Sequence, residues 1–293
     1  MPRTGFRADA LSVKEPGMVT RNIPLVVGLL LIAGAQGCGG KTPGDRSAPT
    51  ASVPAGSNDA TASQTAPADT SFATSVITET SDADQLPPPD RTLNGLSTGK
   101  LRVEVQKHWD QITFTTPTGK KLAYAAILDT EHGLVTLSLR PDVAPNHVRN
   151  FVALARAGYY DGLVFEHVLQ QEGDDGPAAK LELIEGGCPS GTGDPGIGHL
   201  GYWLRQEISE SVKHEAGTVG ACRGDQPDTA GCRFYITLSS APVMDGNFTV
   251  FAQVTQGLDV VRTIWRQPRP EGSIRPTKPA IIRKVTIQSR EVD

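Results

Sequence analysis

The stretch NFVALARAGYYDGLVFEHVL, residues 150–169, decides how the rest of the chain reads. Phe151, Val152 and Ala155, with Val148 just upstream, follow the i, i+3, i+4, i+7 spacing of a helix with one buried face. Asp142 and Pro145 open that helix, because a first-turn N–H has no helical partner and proline loses nothing there. Gly158 supplies a left-handed stop. Tyr159-Tyr160-Asp161-Gly162 is then a tight turn, and residues 163–170 read as a β-strand.

Working outward, residues 122–128 and 134–139 form two strands joined at His132-Gly133. In the second, Val135, Leu137 and Leu139 alternate with Thr136 and Ser138, the pattern of a half-buried strand. Residues 180–185, 218–222, 233–238, 249–254 and 281–287 read as further strands. Residues 258–265 read as a second amphipathic helix, with Leu258, Val261 and Trp265 on one side. Many short strands with two helices suit a sheet closed on itself, since closure removes the edges that invite aggregation. Residues 101–105 (LRVEV) alternate as a strand, residues 112–116 read as another, and Thr118-Gly119 as a turn. Residues 93–120 are therefore expected to form either an extra N-terminal hairpin packed on the core or a loosely attached extension.

The order of motifs is more specific than any one of them. After Tyr159-Tyr160-Asp161-Gly162 come Gly186-Gly187, Gly191-Thr192-Gly193, Phe234-Tyr235-Ile236, Asp245-Gly246 and Phe251. This set resembles the cyclophilin family of peptidyl-prolyl cis-trans isomerases, over about residues 122–288. The resemblance implies a mainly β fold, a closed eight-stranded antiparallel barrel with two capping helices. It also implies rotation of X-Pro bonds, with proline-containing polypeptides as partners and no cofactor.

An X-Pro bond turns over a barrier of ~18–20 kcal/mol because amide resonance must be broken. Catalysis needs an apolar pocket for the proline ring and a donor aimed at the prolyl nitrogen, which gains lone-pair character as the bond twists. The resemblance places Phe165, Leu183, Cys222, Tyr235, Met244 and Phe248 around substrate, and His167 where the family carries its catalytic arginine. His167 reads either as the donor or as a packed strand histidine. Glu185 replaces a glutamine that orients the arginine, and either pairs with His167 or is solvated. Arg233 replaces a glutamine that binds substrate backbone; it reads as a substitute for the missing cation, as a surface charge, or as a partner for Glu185. Glu182 stands where an aromatic wall belongs, and Tyr235 brings a hydroxyl to the pocket floor at some polar cost.

The N-terminal third has a different composition. Residues 25–35 (LVVGLLLIAGA) are an apolar run too short for a bilayer, which needs ~20, but suited to the core of a secretory signal. Arg21 precedes it, and Gln36-Gly37-Cys38 follows. Small residues before a lone cysteine resemble a bacterial lipoprotein processing site, so residues 1–38 are expected to be a signal segment and Cys38 the lipidated residue; ordinary cleavage nearby is the alternative. Residues 39–92, rich in Ser, Thr, Ala and Pro, read as a disordered linker, which would give the tethered domain reach. Residues 93–293 are then the folded domain. The expected location is the cell envelope, membrane-anchored and facing the periplasm or the cell exterior.

Export permits a disulfide. Cys222 and Cys232 bracket a short Gly/Asp/Pro loop and are the preferred pair. No Cys-x-x-Cys occurs, and none of the six histidines stands at a zinc-like spacing from another, so no metal is expected. The net charge is −4 with no dense Lys/Arg block, which argues against nucleic acid. Three functions fit these residues: an isomerase acting on envelope proteins, with activity reduced by its altered site; a non-catalytic proline-binding module; or an envelope interaction scaffold.

Overall fold

The computed structural model describes residues 71–171 and 180–292. In chain order these form α1 (Phe72–Ser75), β1 (Val76–Ile77), α2 (Thr98–Trp109), β2 (Lys121–Thr130), β3 (Gly133–Leu139), α3 (Pro145–Arg156), β4 (His167–Gln171) and β5 (Leu181–Gly186). There follow β6 (Trp203–Leu204), β7 (Thr218–Ala221), β8 (Phe234–Thr237), β9 (Val250–Gln256), α4 (Leu258–Trp265) and β10 (Ile282–Val292). Eight of the strands make one antiparallel sheet in the order β10, β2, β3, β9, β7, β8, β5, β4.

The apolar alternation sets which face of each strand is buried. Val135, Leu137 and Leu139 of β3 are buried in one core with Val148, Phe151, Val152 and Ala155 of α3. Phe151 is the hub, with ring contacts to Tyr160 at 4.9 Å, Phe251 at 5.4 Å and Phe234 at 5.9 Å. Gly158, at φ +72°, lets the chain leave α3 in a left-handed turn. The second helix, α4, buries Val261 and Ile264 in the same core, and the Trp265 indole donates to the Leu169 carbonyl at 2.8 Å.

The sheet is not closed into a barrel, which corrects the sequence expectation. β10 and β4 lie at its two ends and form no ladder with each other. Between them there is a single bridge, Val164 to Ile281, supplemented by main-chain bonds such as Phe165 N–H to Ala280 at 2.9 Å and Val168 N–H to Ile274 at 2.8 Å. The chain reaching back toward β4 carries Pro268, Pro270, Pro276 and Pro279, which have no N–H to give a ladder.

The segment before the core differs from expectation in two ways. Residues 98–109 are a helix, so the hairpin read over 93–120 does not form. Leu101, Val105 and Trp109 repeat at a spacing of four and are buried, while Val103, which made the run look alternating, is exposed. The linker read over 39–92 also ends earlier. From residue 71 the chain lies against the domain: Phe72 is 4% exposed and sits edge-on to Trp109 at 5.5 Å and Tyr202 at 5.0 Å. β1 then pairs with β6, and the Leu86 carbonyl accepts from His199 Nε2 at 2.8 Å. A buried cation joins the segment to the core. Arg149 of α3 sits over the rings of Phe114 (4.9 Å) and Trp109 (5.7 Å) and donates to the Ile112 carbonyl, which fastens this segment to the core.

The three cysteines of the described region are free and buried. Cys222 faces a surface slot, whereas the Cys232 thiol is turned into the core, 3.0 Å from the Tyr159 hydroxyl. They share no bond, contrary to the pairing read from their flanking loop. The apolar run at 25–35, Cys38 and linker residues 39–70 lie outside the described residues. Among the described residues no helix is long and apolar enough to cross a membrane.

Candidate active site

The site follows from the register of three neighbouring strands. His167 of β4 faces Glu185 of β5, and Glu185 faces Tyr235 of β8; Leu169 faces Leu183. Because strand side chains alternate, Val168, Ile184, Phe234 and Ile236 point into the main core. Leu169, Leu181, Leu183 and Tyr235 point the other way and form a second apolar cluster with Cys222, Ala241 and Met244, flanked by Phe248 and Ile274. This cluster walls a slot of about 70 Å³, which also touches His167, Glu185, Arg233, Arg223, Gly193 and Pro195. That is well under the several-hundred-Å³ scale of drug-sized sites, so the slot admits one small group.

Five of the six substrate-side residues read from the sequence line this slot: Leu183, Cys222, Tyr235, Met244 and Phe248. Phe165 does not. It is fully buried in the core, edge-on to Phe234 at 6.0 Å, and it presses on Gly186, where any Cβ would collide with its ring. Leu169, Leu181 and Ile274 were missed. The first two were legible, since they share strand parity with His167 and Leu183; Ile274 arrives on a loop whose path no local pattern sets.

At one end of the slot the three polar candidates form a chain. Arg233 Nη2 donates to Glu185 Oε2 at 2.7 Å, and the same oxygen meets His167 Nδ1 at 2.9 Å. Arg233 Nε donates to Glu166 Oε1 at 3.0 Å. Glu185 is thus a paired group and not a solvated one, and Arg233 is its partner and not a surface charge. Its guanidinium is buried between two carboxylates, so its charge is largely spent before any substrate arrives. Burial raises the Glu166 carboxyl against the pull of Arg233, and its Oε2 has no partner. Burial also pushes Glu185 up, but Arg233 and His167 outweigh it and hold that carboxyl below its ordinary value.

With Nδ1 committed to a carboxylate, His167 donates there and presents Nε2. Among the described residues Nε2 makes no hydrogen bond. The ring fits only because residue 193 is glycine: a Cβ there would overlap the imidazole.

Below the floor lies a second polar chain, absent from the sequence reading. His214 Nδ1 meets Asp245 Oδ1 at 2.9 Å, and His214 Nε2 meets the Tyr235 hydroxyl at 2.8 Å. Asp245 can only accept, so Nδ1–H donates to it and Nε2 accepts from the phenol. The polar cost of the tyrosine floor is met from beneath. Gly220 makes room, since a Cβ there would overlap the phenol. Burial holds His214 below the usual histidine value despite Asp245, in keeping with a neutral ring. Among the described residues no cluster of His, Cys, Asp or Glu is placed to hold a metal ion.

This slot, on this order of strands, defines the cyclophilin class. The family model described as Cyclophilin type peptidyl-prolyl cis-trans isomerase/CLD matches residues 125–287, and the chain belongs to that family. Peptidyl-prolyl cis-trans isomerase-like 1 of Neurospora crassa is 31% identical over 173 residues, which cover 57% of this chain and 100% of that protein. Peptidyl-prolyl cis-trans isomerase 9 of Schizosaccharomyces pombe is 34% identical over 166 residues, 57% of this chain but 25% of that one. A crystal structure of a cyclophilin-type peptidyl-prolyl cis-trans isomerase from Cryptosporidium parvum superposes with a TM-score of 0.50 at 25% identity, covering 57% of this chain and 99% of the other.

Two outcomes test this electrostatic picture. Arg233→Met leaves Glu166 buried without its cation, and urea unfolding should show a loss of about 3–5 kcal/mol. Adding Glu166→Leu should return much of that loss; a double variant no better than the single would show that the pair is not the unit. The second outcome concerns pH. Burial depresses both His199 and His214 in the folded state. Below their ordinary value of about 6.5 the unfolded chain therefore binds protons that the folded chain refuses. Stability should be full above that pH and fall as pH drops through it, read as a declining Tm; a Tm constant between about pH 7 and about pH 5 would contradict the buried neutral rings.

Proposed function

We propose that the slot grips the proline of an X-Pro segment and that His167 assists rotation of the preceding bond. The single observation that carries this is the unbonded Nε2 of His167 beside an apolar slot. As the amide twists, the prolyl nitrogen needs a donor. With Nδ1–H held by Glu185, Nε2 carries a proton only as imidazolium, so the protonated ring is the active form. Imidazolium offers fewer donors and less reach than guanidinium. A charged hydrogen bond is worth ~1.5–3 kcal/mol, so the exchange costs roughly one to two decades in rate, and this is an isomerase of reduced activity. One observation favours a proline-binding module without turnover: the nearest guanidinium, Arg233, is already neutralised by two carboxylates.

The substrates in this reading are proteins of the cell envelope. The support is the apolar run at residues 25–35 ending at Cys38, which suits export and lipid attachment.

A proline-peptide isomerisation assay on the full chain should show turnover of X-Pro substrates. His167→Ala should lower kcat/KM roughly ten- to hundredfold. Binding without turnover would leave the module; a rate unchanged in His167→Ala would remove His167 from the chemistry. For the anchor, cells fed a labelled fatty acid should label the wild-type chain and not Cys38→Ser. Equal labelling of both would place the lipid elsewhere, and absence from the membrane fraction would overturn anchoring.

A further inference from the structure

The slot has two arginines in its lining, and their electrostatic situations are opposite. Arg233 is buried and matched by Glu166 and Glu185. Arg223, just past β7, is half-buried at the lip and none of its partners is anionic. Its Nη1 donates to the carbonyls of Gly224 (2.8 Å) and Asp225 (2.9 Å), and its Nε and Nη2 make long bonds of 3.4 Å to the carbonyl of Asn247. Its guanidinium carbon lies 4.6 Å from the ring centre of Phe248, which stands edge-on to Tyr235 at 6.1 Å. Among the described residues no carboxylate forms an ion pair with it; Asp225 attracts it only through space.

The arginine is therefore fixed in place by carbonyls and a ring, and its charge remains unmatched beside an apolar cavity. Partial burial strips part of its hydration, which weakens the proton's hold on it and strengthens its attraction for an incoming anion. The other charges at the slot are already paired: Glu185 by Arg233 and His167, and Asp245 by His214 and Lys213. In the sheet, β5 and β8 separate β4, which begins at His167, from β7. Both His167 and Arg223 nevertheless line the one slot, so a peptide whose proline sits in it brings a neighbouring residue to Arg223.

Resting on the isomerase reading for the site itself, we propose that Arg223 makes this slot selective for X-Pro segments carrying an acidic side chain within about two residues of the proline. The carboxylate completes the guanidinium's unmatched charge while the proline ring fills the apolar slot. Arg223 thereby acts on specificity, through binding, and has no part in twisting the bond.

The test uses the full chain and matched peptides with Glu, Ala or Lys on either side of an Ala-Pro or Pro-Ala step, with both binding and turnover measured. Glu peptides should bind roughly three- to tenfold more tightly than Ala peptides, and Lys peptides more weakly, with the difference in KM and not in kcat. The preference should shrink as salt rises from about 0.05 M to about 0.5 M. Arg223→Gln should bring the Glu-to-Ala ratio to about one whatever happens to the absolute rate, and Arg223→Glu should invert it toward Lys. Equal affinities for Glu and Ala peptides in the wild type, or a ratio unmoved in Arg223→Gln, would overturn the proposal. Acid-selective binding without turnover would keep it and overturn the isomerase reading. Turnover without acid preference would do the reverse, and a chain that binds none of the peptides would end both.

Discussion

A buried guanidinium must be matched by anions or expelled, and that constraint organises the functional end of this domain. Arg233 lies just before β8, Glu185 near the end of β5, and Glu166 just before β4. The two ion pairs tie together three strands whose side chains build the slot. They also fix the direction in which His167 points, because the oxygen of Glu185 that receives Arg233 also receives Nδ1. Such a cluster is weak evidence of extra stability, since desolvation offsets most of the Coulombic gain. Its effect is geometric: strands, carboxylates and imidazole are held in one arrangement.

The core of the fold was legible because its signals are local and periodic. The helix carrying Phe151, the alternation of Val135, Leu137 and Leu139, and the helix at Leu258–Trp265 appear where the pattern puts them. Most of the slot was legible too, since the order of motifs placed Leu183, Cys222, Tyr235, Met244 and Phe248 together. The failures have physical causes. Five residues, LRVEV, satisfy a strand period and a helix period at once, and only Trp109 four residues beyond Val105 breaks the tie. Phe165 lies in the irregular segment between the Val164 bridge and β4, where strand parity does not yet apply, and its ring goes to the core. Closure of a sheet depends on what faces its last strand, and here that is a proline-bearing loop. The disulfide reading counted residues in a loop, whereas the thiols at its two ends turn in different directions.

The polar partners were the least legible. Nothing local connects His214 to Tyr235, or Arg233 to the residue before His167; each pair is joined only by the tertiary fold. A sequence motif therefore names the walls of such a site more readily than its charges. The same holds for the segment from Phe72 to Trp109, whose composition suggested an appendage, yet whose aromatic rings complete the back of the core through Tyr202 and Arg149.

The phenol under the slot links three positions that are far apart in the chain. Replacing Tyr235 by phenylalanine strands the imidazole nitrogen that accepts from it; replacing Gly220 by alanine evicts the hydroxyl; replacing His214 by an apolar residue leaves that hydroxyl with nothing to donate to. Each single step passes through a worse protein, so descendants of this chain would keep or exchange the trio together. A homologue carrying tyrosine at this floor should carry histidine and glycine with it, and one carrying phenylalanine is released from the histidine but not from the glycine, since the ring's Cζ and the Thr249 carbonyl would still meet a Cβ there.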